Sequence, residues 1–76
     1  MRILDEVYSK PSQASGVRLM VFDRPGGVLA LEEWTGPSSV IKTLGLFESR
    51  ESARARVELR ARELVELGFA RVAPAA

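Results

Sequence analysis

Apolar residues crowd the stretch from Val17 to Phe47 in three runs, each closed by turn-forming residues. Val17-Arg18-Leu19-Met20-Val21-Phe22 is β-branched, aliphatic and aromatic with no breaker, which is the composition of a strand. Asp23-Arg24-Pro25-Gly26-Gly27 follows. Proline presets φ and glycine accepts positive φ, so this cluster predicts a hairpin loop leading into a second strand over Val28 to Trp34. Thr35-Gly36-Pro37-Ser38-Ser39 marks a second turn, and Val40 to Phe47 a third strand in which Gly45 is the natural place for a bulge. Three consecutive strands on short loops make an antiparallel meander.

The period then changes. Ser49 suits the N-cap of a helix whose interior, Arg50 to Leu67, holds no glycine, no proline and only two β-branched residues, and Gly68 stands where a left-handed C-terminal cap belongs. Phe69 to Val72 leaves the helix as a short extended segment. Before the meander, Arg2 to Lys10 fits two readings: a helical turn presenting Ile3, Val7 and Tyr8, or short strand pieces at Ile3-Leu4 and Val7-Tyr8, with the strand preferred. Lys10 to Gly16 reads as a loop and residues 73–76 as a frayed tail. The expected fold is α+β: a three- or four-stranded antiparallel meander with one long C-terminal helix packed on one face, all in a single domain over 1–76.

Both faces of that sheet ask for cover. Along the first strand Val17, Leu19 and Val21 alternate with Arg18, Met20 and Phe22, and Val28 to Leu31 is apolar on both sides, whereas a half-solvated sheet alternates apolar with polar. One helix covers one side. The helix itself spreads Ala53, Val57, Leu59, Ala61, Leu64, Val65 and Leu67 over roughly 240° of its circumference, while docking on a single sheet needs an arc of about 100°. An apolar surplus on a small domain points to a protein partner, a copy of itself included. The competing expectation is that Ile3, Leu4, Val7 and Tyr8 fold back over the open face and close the core.

Length sharpens the question, since 76 residues support one core that is only marginally sufficient. With no cysteine and no histidine, disulfides are excluded, a zinc site is not expected, and the commonest general base and the best nucleophile are missing. Glu32 and Glu33 are adjacent on a strand and so point to opposite faces, a poor acid/base pair. No glycine-rich nucleotide fingerprint is present. The expectation is a non-enzymatic chain without cofactor or metal. The N-terminal Met1-Arg2-Ile3-Leu4-Asp5-Glu6 carries acids where a signal peptide needs an apolar run, and no membrane-length apolar segment occurs, which makes the cytoplasm the expected compartment.

The net charge of +1 is close to balanced, but five arginines fall between Arg50 and Arg62 against Glu51 and Glu58. Read conservatively they form a solvated helix face with Arg54/Glu58, Glu58/Arg62 and Arg62/Glu66 pairs at spacing four. Arg50 and Arg54 sit near the positive end of the helix dipole, a mildly unfavourable place for a cation. Trp34, the only tryptophan, is either a wall of the core or a platform for a base or a protein partner, with Arg18, Lys42 and the helix arginines as the basic surface beside it.

Strand, hairpin, a strand ending in Trp34 before the Gly36 turn, a strand ending in Phe47, a helix capped by Ser49 and carrying Ala53, then Gly68-Phe69: this order resembles the WGR domain, the small module of DNA-dependent poly(ADP-ribose) polymerases and of stand-alone bacterial proteins. The likeness runs from Val17 to Val72. It implies the same sheet-plus-helix arrangement and, in the family, DNA contact by the tryptophan and arginine of the motif. Here the Trp-Gly-Arg tripeptide is Trp34-Thr35-Gly36, without the arginine, and Pro37-Ser38-Ser39 replaces the basic glycine-rich loop, so no charge remains there to release counterions.

Two functional expectations follow. The first is an interaction or regulatory module that binds a protein, or itself as a homodimer, through Met20, Phe22, Leu59 and Leu67. The second is nucleic-acid binding through Trp34, Lys42, Arg54, Arg56 and Arg60.

Overall fold

The computed structural model describes residues 1–12, 15–36 and 39–72. Its elements are β1 (Arg2–Ser9), β2 (Gly16–Arg24), β3 (Gly27–Thr35), β4 (Val40–Phe47), α1 (Arg50–Glu66) and β5 (Ala70–Val72). They form a five-stranded antiparallel sheet in the order β4-β3-β2-β1-β5 with the helix laid on one face. The α+β expectation holds, and the sheet is one strand wider than expected. The ambiguous N-terminal segment is a full strand, and the short segment after the helix pairs with it, Val7 opposite Val72. The helix therefore carries the chain from one edge of the sheet back to the other. The frayed-tail expectation for 73–76, and Pro37 and Ser38 of the second turn, lie outside the described residues.

Local chemistry explains the element ends. Gly26 at φ 98° and Gly27 at φ 146° take the positive-φ positions of the β2–β3 turn, conformations that L side chains avoid. The expected bulge in β4 is at Leu44, beside Gly45: Ala30 pairs with Gly45 but Leu31 with Thr43, so one residue is left over. Ser49 caps the helix, its Oγ accepting from the Ser52 amide at 3.1 Å. At the other end Leu67 is the capping residue rather than the last helical one. Gly68 at φ 99° turns the chain so that its amide donates to Val65 O and the Phe69 amide to Leu64 O, both at 3.0 Å. That is a Schellman closure, complete with its apolar contact, because Leu64 and Phe69 share the core. Arg50, set against the helix dipole, instead donates through Nε to Asp23 at 2.6 Å.

The core lies between the helix and one sheet face. Val17, Leu19 and Val21 of β2 and Val28 and Ala30 of β3 meet Ala53, Val57 and Leu64, with Tyr8 and Phe69 closing the side near β1 and β5. The helix arc is narrower than its apolar residues allowed: Leu59, Val65 and Leu67 are each more than half exposed, at 53%, 56% and 54%. The other sheet face has no covering element among the described residues. β1 does not fold over it; it joins the sheet edge-on, sending Leu4, Glu6 and Tyr8 toward the helix side and Asp5 and Val7 to the open side.

Candidate functional site

The antiparallel register orders the open face into rows. One row crosses the sheet as Ile41, Glu33, Arg18, Val7 and Val72; the next as Thr43, Leu31, Met20 and Asp5; the third as Leu46, Leu29, Phe22 and Arg2. Met20 is 8% exposed yet stands outside the core cluster, so neighbouring side chains on this face, and not the helix, bury it. Phe22, Leu29 and Leu31 are half-buried around it, while Ile41 and Leu46 on the edge strand are exposed. This is a contiguous apolar patch with a charged border. On the border Arg18 holds Asp5 in a two-point ion pair at 2.5 and 2.7 Å, and Arg2 reaches the same carboxylate at 3.1 Å. Hydrogen bonding and attraction to Arg18 keep the Asp5 carboxyl below its usual range against a smaller opposing effect of burial. Glu33 faces Arg18 across the β2–β3 pair, and among the described residues it closes no ion pair.

Under the helix lies a polar centre. Glu32 follows Val28 and Ala30 on the helix side of β3 and is 1% exposed. Arg60 extends across from the helix and donates to the Glu32 carboxylate through Nε, with a second contact from Nη2 at 3.3 Å, and Trp34 Nε1 donates to it at 2.5 Å. Burial alone would raise the Glu32 carboxyl, but the Arg60 and Trp34 hydrogen bonds outweigh it and hold the group below its ordinary value. The Trp34 ring meets Phe69 edge-on at 5.9 Å between centroids, and Lys10 stands 5.8 Å over the other aromatic of that pair. Trp34 is thus a half-buried wall of the core, anchored by its own polar tip.

Lys42 shares this side of the sheet. It pairs with Glu32 in register, and with Ser15, Trp34, Thr35 and Val40 it borders an open cleft of about 390 Å³. The basic residues considered with Trp34 divide. Arg60 is spent on Glu32; Arg56 is half-buried with an enclosed Nη1 that has no hydrogen-bond partner among the described residues; Arg54 is exposed. Within the helix the ion pair formed is Arg60 with Glu63, at 3.7 Å, and none of the three spacing-four pairs is closed. The four residues considered for protein contact divide as well. Met20 and Phe22 belong to the open sheet face, whereas Leu59 and Leu67 project from the helix on the opposite side of the molecule.

The Glu32–Arg60 tie escaped sequence reading, although a signal existed: an acid interrupts the helix-side series Val28, Ala30, Glu32, Trp34. The arginine that answers this acid lies one strand-to-helix crossing away, at a sequence distance that no local pattern spans. Among the described residues no group of three or more candidate ligands stands ready for a metal, and no helix is long and apolar enough to cross a membrane. No family model, no curated protein and no solved structure matches the chain.

Proposed function

We propose that this chain is a non-enzymatic interaction module that binds a protein on the open face of its sheet. The observation that carries this reading is the uncovered apolar patch of Met20, Phe22, Leu29, Leu31, Ile41 and Leu46, bordered by Arg2, Asp5, Arg18 and Glu33. An apolar centre desolvated on contact with a polar rim around it is the anatomy of a protein interface. Nucleic acid fits this face poorly, because its border alternates in sign. The WGR-like order of elements implies contact with DNA ends, and the missing motif arginine turns the reading away from that contact.

The test replaces Leu31 with a photo-crosslinking amino acid on the sheet face and, separately, Val65 on the outer side of the helix. Crosslinks to protein from position 31, retained at high salt, are the expected result, since apolar association tolerates salt and phosphate-driven binding does not. Crosslinks confined to position 65, or to nucleic acid at low salt only, overturn the reading.

A further inference from the structure

Resting on that reading, we infer that the occupant of the open face is a second copy of this chain, packed face to face about a two-fold axis that runs along the strands between β2 and β3. Charge matching across the interface selects this arrangement. In a two-sheet sandwich the inner faces meet about 10 Å apart, and a two-fold interface places the same patch on both sides. An axis along the strands keeps each row level with itself and exchanges strands, so that β2 lies over the β3 of the second copy.

The central row then sets Met20 on Leu31 of the second copy, and the row below sets Phe22 on Leu29. In the row above, Arg18 meets Glu33 of the second copy, twice by symmetry. Of the two carboxylates on this face, Asp5 is held by Arg18 and Arg2, while Glu33 closes no ion pair within its own chain among the described residues, and Arg18 already lies close enough to feel its charge. Other placements fail on the same residues. Moving the axis onto β2 stacks Arg18 on Arg18, and moving it onto β3 stacks Glu33 on Glu33. An axis across the strands exchanges the first and third rows and lays Arg18 and Glu33 on apolar Phe22 and Leu29, where a charge is desolvated without a partner. Of these arrangements, the one between β2 and β3 matches apolar with apolar and plus with minus along those two strands; further out, where β1 lies over β4 of the second copy, Val7 meets Ile41, Asp5 meets Thr43 and Arg2 meets Leu46.

Charge reversal with mixing tests this arrangement. Arg18→Glu sets acids at both positions 18 and 33, beside Asp5, and Glu33→Arg sets bases at both, beside Arg2, so each variant repels itself, while an equimolar mixture restores both ion pairs. Light scattering over a wide concentration range at moderate salt should find a wild-type dimer and a dissociation constant raised roughly 100-fold or more for each variant alone, with dimer recovered on mixing. Circular dichroism checks that each variant is folded. Isotope-filtered NMR of a mixed-labelled wild-type sample reads the same contact without mutation, as cross-peaks between Met20 and Leu31 methyls of different chains.

A wild type that stays monomeric at the highest concentration overturns the second-copy assignment and leaves the crosslinks from position 31 to judge the broader reading. A dimer indifferent to either reversal, not recovered on mixing, or lacking the Met20–Leu31 cross-peak overturns the geometry and moves the contact to another surface.

Discussion

Glu32 is a carboxylate in a place that its strand neighbours reserve for apolar side chains, and it stays there because Arg60 and Trp34 occupy its lone pairs. Removing one partner of such a tie leaves the other charge enclosed and unpaired, which costs more than the pair contributes. Glu32→Gln and Arg60→Met are therefore each expected to destabilise the fold by about 3 kcal/mol, and the double variant by clearly less than their sum, in denaturant melts of all three. The tie also sets an acid sensitivity. The Glu32 carboxyl is lower in the folded chain than in the unfolded one, so its contribution is complete above the ordinary carboxylate range and is lost as pH falls through the folded value. Melts taken between neutral and acid pH should show wild type losing stability faster than Glu32→Gln; parallel slopes would remove Glu32 from the account. Asp5, lowered by Arg18, keeps a residual slope of the same sign in both.

At the scale of elements, the helix is held by its ends as much as by its face. Only Ala53, Val57 and Leu64 are fully buried along it, so the Ser49 cap and the Gly68 closure carry more of its definition than in a broadly packed helix. Ser49→Ala is expected to cost about 1 kcal/mol, and Gly68→Ala a similar amount because alanine resists φ near 99°; thermal melts of the two single variants measure both. These caps were legible in the sequence, as were the three central strands and the turn at Pro25-Gly26, because each rests on residues within a few positions of one another. What the sequence left open was lateral. Whether Arg2–Ser9 would cover the open face or widen the sheet depended on β2 having a free edge, and β5 formed because β1 then offered one. Trp34 was undecided for a similar reason, since its burial comes from Phe69 and Arg60-bound Glu32, which are distant in sequence.

The described residues build two layers, helix and sheet, and set no third layer on the second sheet face. The helix satisfies one side of the sheet, and the opposite side keeps its apolar residues in view of solvent. Ile41 and Leu46, at 61% and 60% exposed, contribute little to the fold of a single chain. Ile41→Lys and Leu46→Lys should therefore change unfolding free energy by no more than about 0.5 kcal/mol while abolishing association through this face, a split read by pairing melts with light scattering. A loss of folding comparable to a core substitution would place these side chains inside the monomer's own packing instead. Leu59 on the helix and Leu67 at its C-cap, both exposed and away from the open sheet face, serve as controls, since changing them leaves sheet-face association intact.

The enclosed tie between Glu32 and Arg60 also gives the fold a thermal character. Hydration of charged groups becomes less favourable on heating, so the penalty for keeping the two ions out of water shrinks while apolar stabilisation levels off. The coupling between these residues, taken from a double-mutant cycle repeated at several temperatures, should grow as the sample is warmed, making the join between helix and sheet relatively strongest when the rest of the small core is weakest.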